Sequence, residues 1–249
     1  MSPRVRLVLA LAGLLGLAAV AVAAVVDLPR FGHPRGPYAT AAVKLALGER
    51  HVTNTVTGVT FDVRGIDTLG EELILFCAAI GATLLLRTQR PQGRTEEAIE
   101  RGDEARAGAP SSLRALGASL VGPVLVLGVY VVAHGALTPG GGFQGGVILA
   151  GALLLVYAAG QIVALQRVRP VDLVEVAEAT GALAYVLIAV AGLVFAAAAM
   201  DNFIPLGQQG SLLSGGIIPV LSVAVGVEVA GAITLILSEL LDQALLRRA

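Results

Sequence analysis

Glu228 is the one acid in the apolar run Leu212–Leu237 and the residue of this chain with the most chemistry in prospect. At about 1.5 Å per helical residue it lies roughly 14 Å from the far end of that run, near the middle of a hydrocarbon layer about 30 Å thick. An ionised carboxylate at that depth is costly unless it is paired, hydrated or protonated. Every lysine and arginine of the chain lies near the end of an apolar run or between runs, so none stands at the depth of Glu228. Two readings remain: a proton-exchanging group, or a static hydrogen bond or ion pair reaching into another chain. Ala224, Gly231 and Ala232 share its helix face and allow a second helix to approach closely.

The other titratable candidates sit at the ends of apolar runs. His134 lies near the end of Ala115–Leu137. Its imidazole titrates near neutral pH, which suits a proton-passing group at a channel mouth and equally a packed, hydrogen-bonded helix end. Asp67, Glu71 and Glu72 cluster where Leu69–Leu86 begins. They cap a helix start and favour its dipole, or Glu71 turns toward a bundle interior. Asp172, Glu175 and Glu178 follow Pro170 at intervals of three and line one side of an entering helix. Carboxylates in a first turn favour the dipole, and Glu178 is also kept as a path candidate. The single cysteine, Cys77, falls inside an apolar run and reads as an inert packed thiol. One cysteine and three scattered histidines make no metal site, and no cofactor is expected.

These acids need elements to hold them, and the sharpest landmark between elements is Thr138-Pro139-Gly140-Gly141-Gly142-Phe143-Gln144-Gly145-Gly146. Pro139 with Gly140, Gly141, Gly142, Gly145 and Gly146 cannot propagate a helix, so a tight break falls between two membrane-length segments. It carries no charge, which suits irregular backbone held at membrane depth against protein or a water-filled cavity. No lysine follows, so it is not a phosphate loop. Gly142, Gly146 and Ala150 fall four apart and form a smooth strip for another helix, and a broken helix end can also face ions.

Composition demands a membrane. The chain of 249 residues is 56% hydrophobic and 14% charged, with a mean hydropathy of +0.83. A soluble domain of this length cannot hide that much apolar surface. Six stretches have spanning character: Leu7–Val26, Leu69–Leu86, Ala115–Leu137, Val147–Leu165, Ala179–Met200 and Leu212–Leu237. Alanine, glycine and leucine dominate them, so the fold class is all-α, a polytopic membrane bundle of about six transmembrane helices. Twelve of the 17 basic residues fall on the side shared by both termini and five on the other, which puts both termini in the cytoplasm. The basic Met1–Arg6 with the small residues Ala21–Ala24 also fits a cleaved signal peptide, although the uncharged run is long for one. A net charge of −1 gives no reason to expect nucleic acid as a partner.

The segments between spans differ in kind. Tyr38–Leu47 reads as a short helix at the membrane surface. Val52–Val63 alternates threonine and valine in a strand-like pattern, and a lone hairpin is marginal in water, so docking on a neighbouring subunit is expected. Arg87–Arg114 mixes arginines with acids, glycines, a proline and serines and reads as a solvated linker, with a short helix over Thr95–Arg106.

Two motif sets carry a family resemblance. Val121-Gly122-Pro123, Ala133-His134-Gly135 and the glycine-rich Pro139–Gly146 resemble the MnhB/MrpB family of the multisubunit Na+/H+ antiporters, over about Leu116–Leu241. Asn54–Gly65, followed by Asp67-Thr68-Leu69-Gly70-Glu71-Glu72, is similar to the C-terminal part of the MnhA/MrpA component of those antiporters, called MbhE in related membrane-bound hydrogenases. The resemblance implies a fusion: an MbhE-like segment over 1–88 with two spans, a cytoplasmic linker over 89–114, and an MnhB-like domain over 115–249 with four spans. It further implies a prokaryotic plasma-membrane subunit, not itself an enzyme, in a hetero-oligomeric complex transporting Na+ and H+, with the large ion-pumping subunits on other chains. A passive scaffold and a component of a membrane-bound hydrogenase are the alternatives, and in the latter redox chemistry belongs to partner chains.

Overall fold

A computed structural model describes residues 3–26, 36–87, 110–158 and 171–246. The linker helix expected over 95–106 and the far end of the fourth span lie outside them. Two compact units divide the chain, residues 1–41 and 42–249. The first holds helix α1 (Pro3–Val26) and the start of α2 (Pro37–Lys44).

The second unit contains α3 (Thr55–Gly58), α4 (Gly65–Arg87), α5 (Ser111–Ala133), α6 (Gly142–Ala158), α7 (Val171–Phe195) and α8 (Ile218–Leu246). Among the described residues five helices are long and apolar enough to cross a membrane, and α6 adds a shorter apolar helix, in keeping with the polytopic bundle expected. Four of the five, α4, α5, α7 and α8, belong to the second unit.

Helix α8 is the axis of this unit: over three-fifths of its span is buried, against a third or less of α4, α5 and α7. It packs on α4, α6 and α7. Small residues make the close approaches. Gly142 and Gly146 of α6 leave no room for a side chain against Val225 and Val229 of α8, the smooth strip the four-residue spacing predicts. Gly128 and Gly145 bring α5 and α6 together in the same way.

Three expectations from the sequence are corrected here. The strand-like Val52–Val63 forms α3 and a π turn over Val59–Val63 instead, because its polar groups bond to the glycine-rich break rather than to a second strand. Its docking is within the chain: Asn54 Nδ2 donates to the Gly135 and Thr138 carbonyls at 2.8 and 2.9 Å. Thr57 Oγ1 donates to the Gly135 carbonyl at 2.7 Å. Cys77 is exposed on the outer face of α4 rather than packed inside the unit. The break itself is shorter than its glycine content suggests. Gly140 and Gly141 (φ 147° and 143°) turn the chain, a conformation only glycine takes without strain, while Gly142, Gly145 and Gly146 already belong to α6.

The last two spans also shift. Helix α7 starts by Val171 and ends at Phe195, so Glu178 lies within the helix. Helix α8 starts only at Ile218, after a loop in which Asn202 Oδ1 accepts from the Ile217 amide at 2.8 Å.

Candidate functional site: a file of buried carboxyls

Three glutamates from three helices meet inside the second unit. Glu228 of α8 is 0% exposed, Glu72 of α4 1% and Glu178 of α7 3%. The Glu72 and Glu228 side chains are neighbours inside the unit, within electrostatic reach of one another. Neither of their carboxyls, nor Oε1 of Glu178, has a hydrogen-bond donor among the described residues. Among the described residues, a proton held by either carboxyl is the donor left to that pair. Glu178 lies within electrostatic reach of Glu228.

The helix crossing that joins Glu178 to Glu228 is reciprocal. A Cβ at Gly181 of α7 would lie 2.7 Å from Glu228 Cβ, and one at Gly231 of α8 would lie 2.9 Å from Glu178 Cβ. Each acid therefore sits over a glycine of the other helix, and α7 and α8 run antiparallel at van der Waals distance. Tyr185 of α7, fully buried, donates its hydroxyl to the Gly65 carbonyl at 3.0 Å and stands in the electrostatic neighbourhood of Glu72.

Two cavities flank the acids. One of about 280 Å³ is lined by Glu71 and Glu72, by Thr57, Thr60 and Thr68, and by the break from Gly140 to Gln144. The other, of about 300 Å³, is lined by Thr83 of α4 and by Glu175 and Glu178 of α7, among apolar side chains. Thr83 Oγ1 is buried and has no hydrogen-bond partner among the described residues.

The residues singled out from sequence fare differently. Glu228 is buried at the centre as its position in the run predicts. Glu178 does not sit in an exposed first turn; it is buried against Gly231, seven residues after Val171, because α7 starts earlier than the apolar run. Glu71 is exposed at the wall of the first cavity, and its neighbour Glu72 takes the interior position instead. Asp67 is exposed and pairs with Arg64 at 2.6 Å across one helical turn, a surface ion pair. His134 ends α5, stacked on Tyr130 at 3.9 Å between ring centroids, with Nδ1 3.1 Å from the Tyr130 carbonyl, away from the buried acids. Pro139, Gly140 and Gly141 carry the chain past the first cavity, and Gly142 opens α6 beside it. The residue that sequence reasoning left out of its path is Glu72. Its only signal was adjacency to Glu71, and a uniformly apolar helix gives no stripe to say which of two neighbours turns inward.

Comparison with known proteins fits this architecture. Residues 112–235 match the family model of a domain related to the MnhB subunit of Na+/H+ antiporter. An uncharacterised protein of Methanocaldococcus jannaschii is 31% identical over 203 residues, covering 74% of this chain and 75% of that protein. Among solved structures, a chain of the membrane-bound sulfane sulfur reductase, an archaeal respiratory membrane complex, superposes with a TM-score of 0.73 at 28% identity. That match covers 95% of this chain and 98% of the other. A chain of the Mrp complex from Dietzia sp. has the same fold, with a TM-score of 0.72 at 21% identity, and this chain spans 26% of it. With its helical membrane bundle, its glycine-rich break and these matches, the chain belongs to the family of membrane subunits related to MnhB.

Proposed function

We propose that this chain is a multi-pass component of an antiporter-type membrane complex of several subunits, exchanging a monovalent cation, Na+, for protons, and that Glu228 is its proton-exchanging group. The observation that carries the second part is a carboxyl fully buried at mid-span, facing a second carboxyl, with no donor from the described residues. A carboxyl so situated gains and loses a proton rather than holding a fixed partner. The family membership supports the first part. In this reading the chain is a transport subunit without catalysis of its own, and its partners are the other subunits of the complex, the bilayer and the two ions. The family membership supports a prokaryotic plasma membrane, and the charge asymmetry of twelve against five supports both termini in the cytoplasm.

The test is proton exchange in everted vesicles, read with a pH-sensitive dye, while assembly is followed on native gels. Glu228→Gln is expected to lower cation-driven proton movement at least tenfold with the complex intact. Unchanged exchange ends the role of Glu228. A dispersed complex favours a scaffold in which this acid is a static contact.

The likeness to a chain of a sulfane sulfur reductase complex favours one further reading, a redox-driven complex built on the same membrane module. Electron carriers would then sit on partner chains. Purifying the native complex and identifying each co-purifying chain separates the two.

A further inference from the structure

The two cavities touch opposite halves of the same helix. On α4 the first reaches Thr68, Glu71 and Glu72, and the second reaches Ile80, Thr83 and Leu84. Thr68 and Thr83 stand 15 positions apart, roughly 22 Å along a helix, which is most of the hydrocarbon thickness. On α8 the first cavity meets Val225, before Glu228, and the second meets Leu235, beyond it. Glu228 lines neither, and its two carboxyl neighbours line one each: Glu72 the first, Glu178 the second.

We infer that this chain by itself holds a complete proton path across the membrane, with water in both cavities and Glu72, Glu228 and Glu178 as the carboxyl relay between them. The inference rests on the proposed role of Glu228 and extends it by assigning both ends. Each cavity has the polar groups that water needs. In the first, the three threonine hydroxyls spend their protons on backbone carbonyls: Thr57 on Gly135 at 2.7 Å, Thr60 on Val56 at 2.9 Å and Thr68 on Thr60 at 2.8 Å. Thr57 Oγ1 also accepts from Asn54 Nδ2 at 2.7 Å; toward the cavity Thr60 and Thr68 can only accept, as the Glu71 carboxylate does, and water is the donor that answers them. In the second, Glu178 Oε1 and Thr83 Oγ1 are buried without partners and line the same space, the condition under which buried water is bound. Both volumes are large enough for several waters.

Because Glu228 lines neither cavity, the middle of the relay runs from carboxyl to carboxyl. Between Glu72 and Glu228 a proton passes directly, leaving one carboxyl oxygen as it bonds to the facing one, with no change in the pair's net charge. Between Glu228 and Glu178 no hydrogen bond is made, and transfer needs one of the two side chains to swing. Gly181 and Gly231, under Glu228 and Glu178 respectively, keep both side chains clear of a facing Cβ at the crossing. This gap keeps the two water bodies from joining, and an exchanger requires that separation to avoid a leak.

The test uses the assembled complex in membrane vesicles with Cys77 replaced by serine. Thr60→Cys and Thr83→Cys, one in each cavity, are treated with a charged, membrane-impermeant thiol reagent applied to one side or the other. Labelling of Thr60→Cys from one side only and of Thr83→Cys from the opposite side only is expected. Absence of reaction at either position, or reaction of both from the same side, overturns the path. Glu178→Gln and Glu72→Gln are each expected to lower proton exchange at least tenfold. If Glu228→Gln abolishes exchange while Glu178→Gln leaves it at the wild-type level, the path fails and the role of Glu228 survives. If Glu228→Gln is silent, both fail. Where a glutamine variant does not assemble, the sidedness of cysteine labelling decides alone.

Discussion

Burial at the head of α4 divides two adjacent acids because a helix turns about 100° per residue. Glu72 points toward α8 and Tyr185, and Glu71 points to the cavity wall, where water reaches it. The energetic contrast is large: a buried carboxylate without a donor is costly, and an exposed one costs little. A static protein has no reason to retain the costly one when glutamine of the same shape would donate a hydrogen bond to Glu228. Glu72→Gln is therefore expected to raise the thermal midpoint of the purified complex or leave it unchanged, even as proton exchange falls. A lower midpoint would assign Glu72 a structural role. Asp67 gives the opposite expectation, since its ion pair with Arg64 is exposed and worth about 0.2–1 kcal/mol at most. Asp67→Asn leaves exchange within twofold of wild type in the same vesicle measurement.

Helices explain what single residues cannot. The spans themselves were legible because runs of apolar residues long enough to cross hydrocarbon have few other uses. The close-packing strip on α6 was legible too, since Gly142, Gly146 and Ala150 lie one turn apart, but the identity of α8 as the helix packed on it was not. Nor was Val52–Val63 legible: alternating threonine and valine has the strand period, but Asn54 and Thr57 both bond the Gly135 carbonyl just past the end of α5, 81 and 78 residues later. Partners that distant decide between strand and helix, and no local pattern contains them. The helical entry through Asp172, Glu175 and Glu178 was legible from their spacing of three. The apolar run began only at Ala179, however, because hydropathy locates apolar residues and gives no sign that Glu178 is buried. The α7–α8 crossing yields a prediction at this scale. A Cβ at Gly181 would lie 2.6 Å from the Glu228 amide nitrogen and 2.7 Å from the Ala224 carbonyl. These are backbone atoms that cannot step aside, so Gly181→Val pushes the helices apart at a cost of about 1–3 kcal/mol or more. Gly151→Ala, on α6 with nothing within 4 Å of the added carbon, serves as the control. In thermal unfolding of the detergent-solubilised chain, the first variant is expected to melt well below the second.

At the scale of the molecule, a compact unit over residues 42–249 contains both the segment that resembles the MnhA/MrpA tail and the MnhB-related domain. Three sets of contacts tie them. Asn54 and Thr57 close on the Gly135 and Thr138 carbonyls, α4 lies along α8, and Gln243 Nε2 donates to the Leu86 carbonyl at 2.9 Å. The proposed path is shared in the same way, with Glu72 on one segment and Glu228 and Glu178 on the other. If the chain is two ancestral pieces joined over 89–114, covalent continuity there adds effective concentration, and the association itself comes from buried helix surface and hydrogen bonds. Severing the chain within 89–109 should then leave a working protein. Co-expressed fragments 1–88 and 110–249, each with its own tag, are expected to co-purify in mild detergent and to restore at least half of wild-type proton exchange. Asn54→Ala in the short fragment removes the side-chain donor to the Thr138 carbonyl and one of the two to the Gly135 carbonyl, which keeps Thr57 Oγ1, at about 1–3 kcal/mol. That loss is expected to weaken recovery of the pair while sparing the uncut chain, where the tether compensates. Fragments that fail to associate at all would mean the linker holds the two segments together and the contacts between them do not.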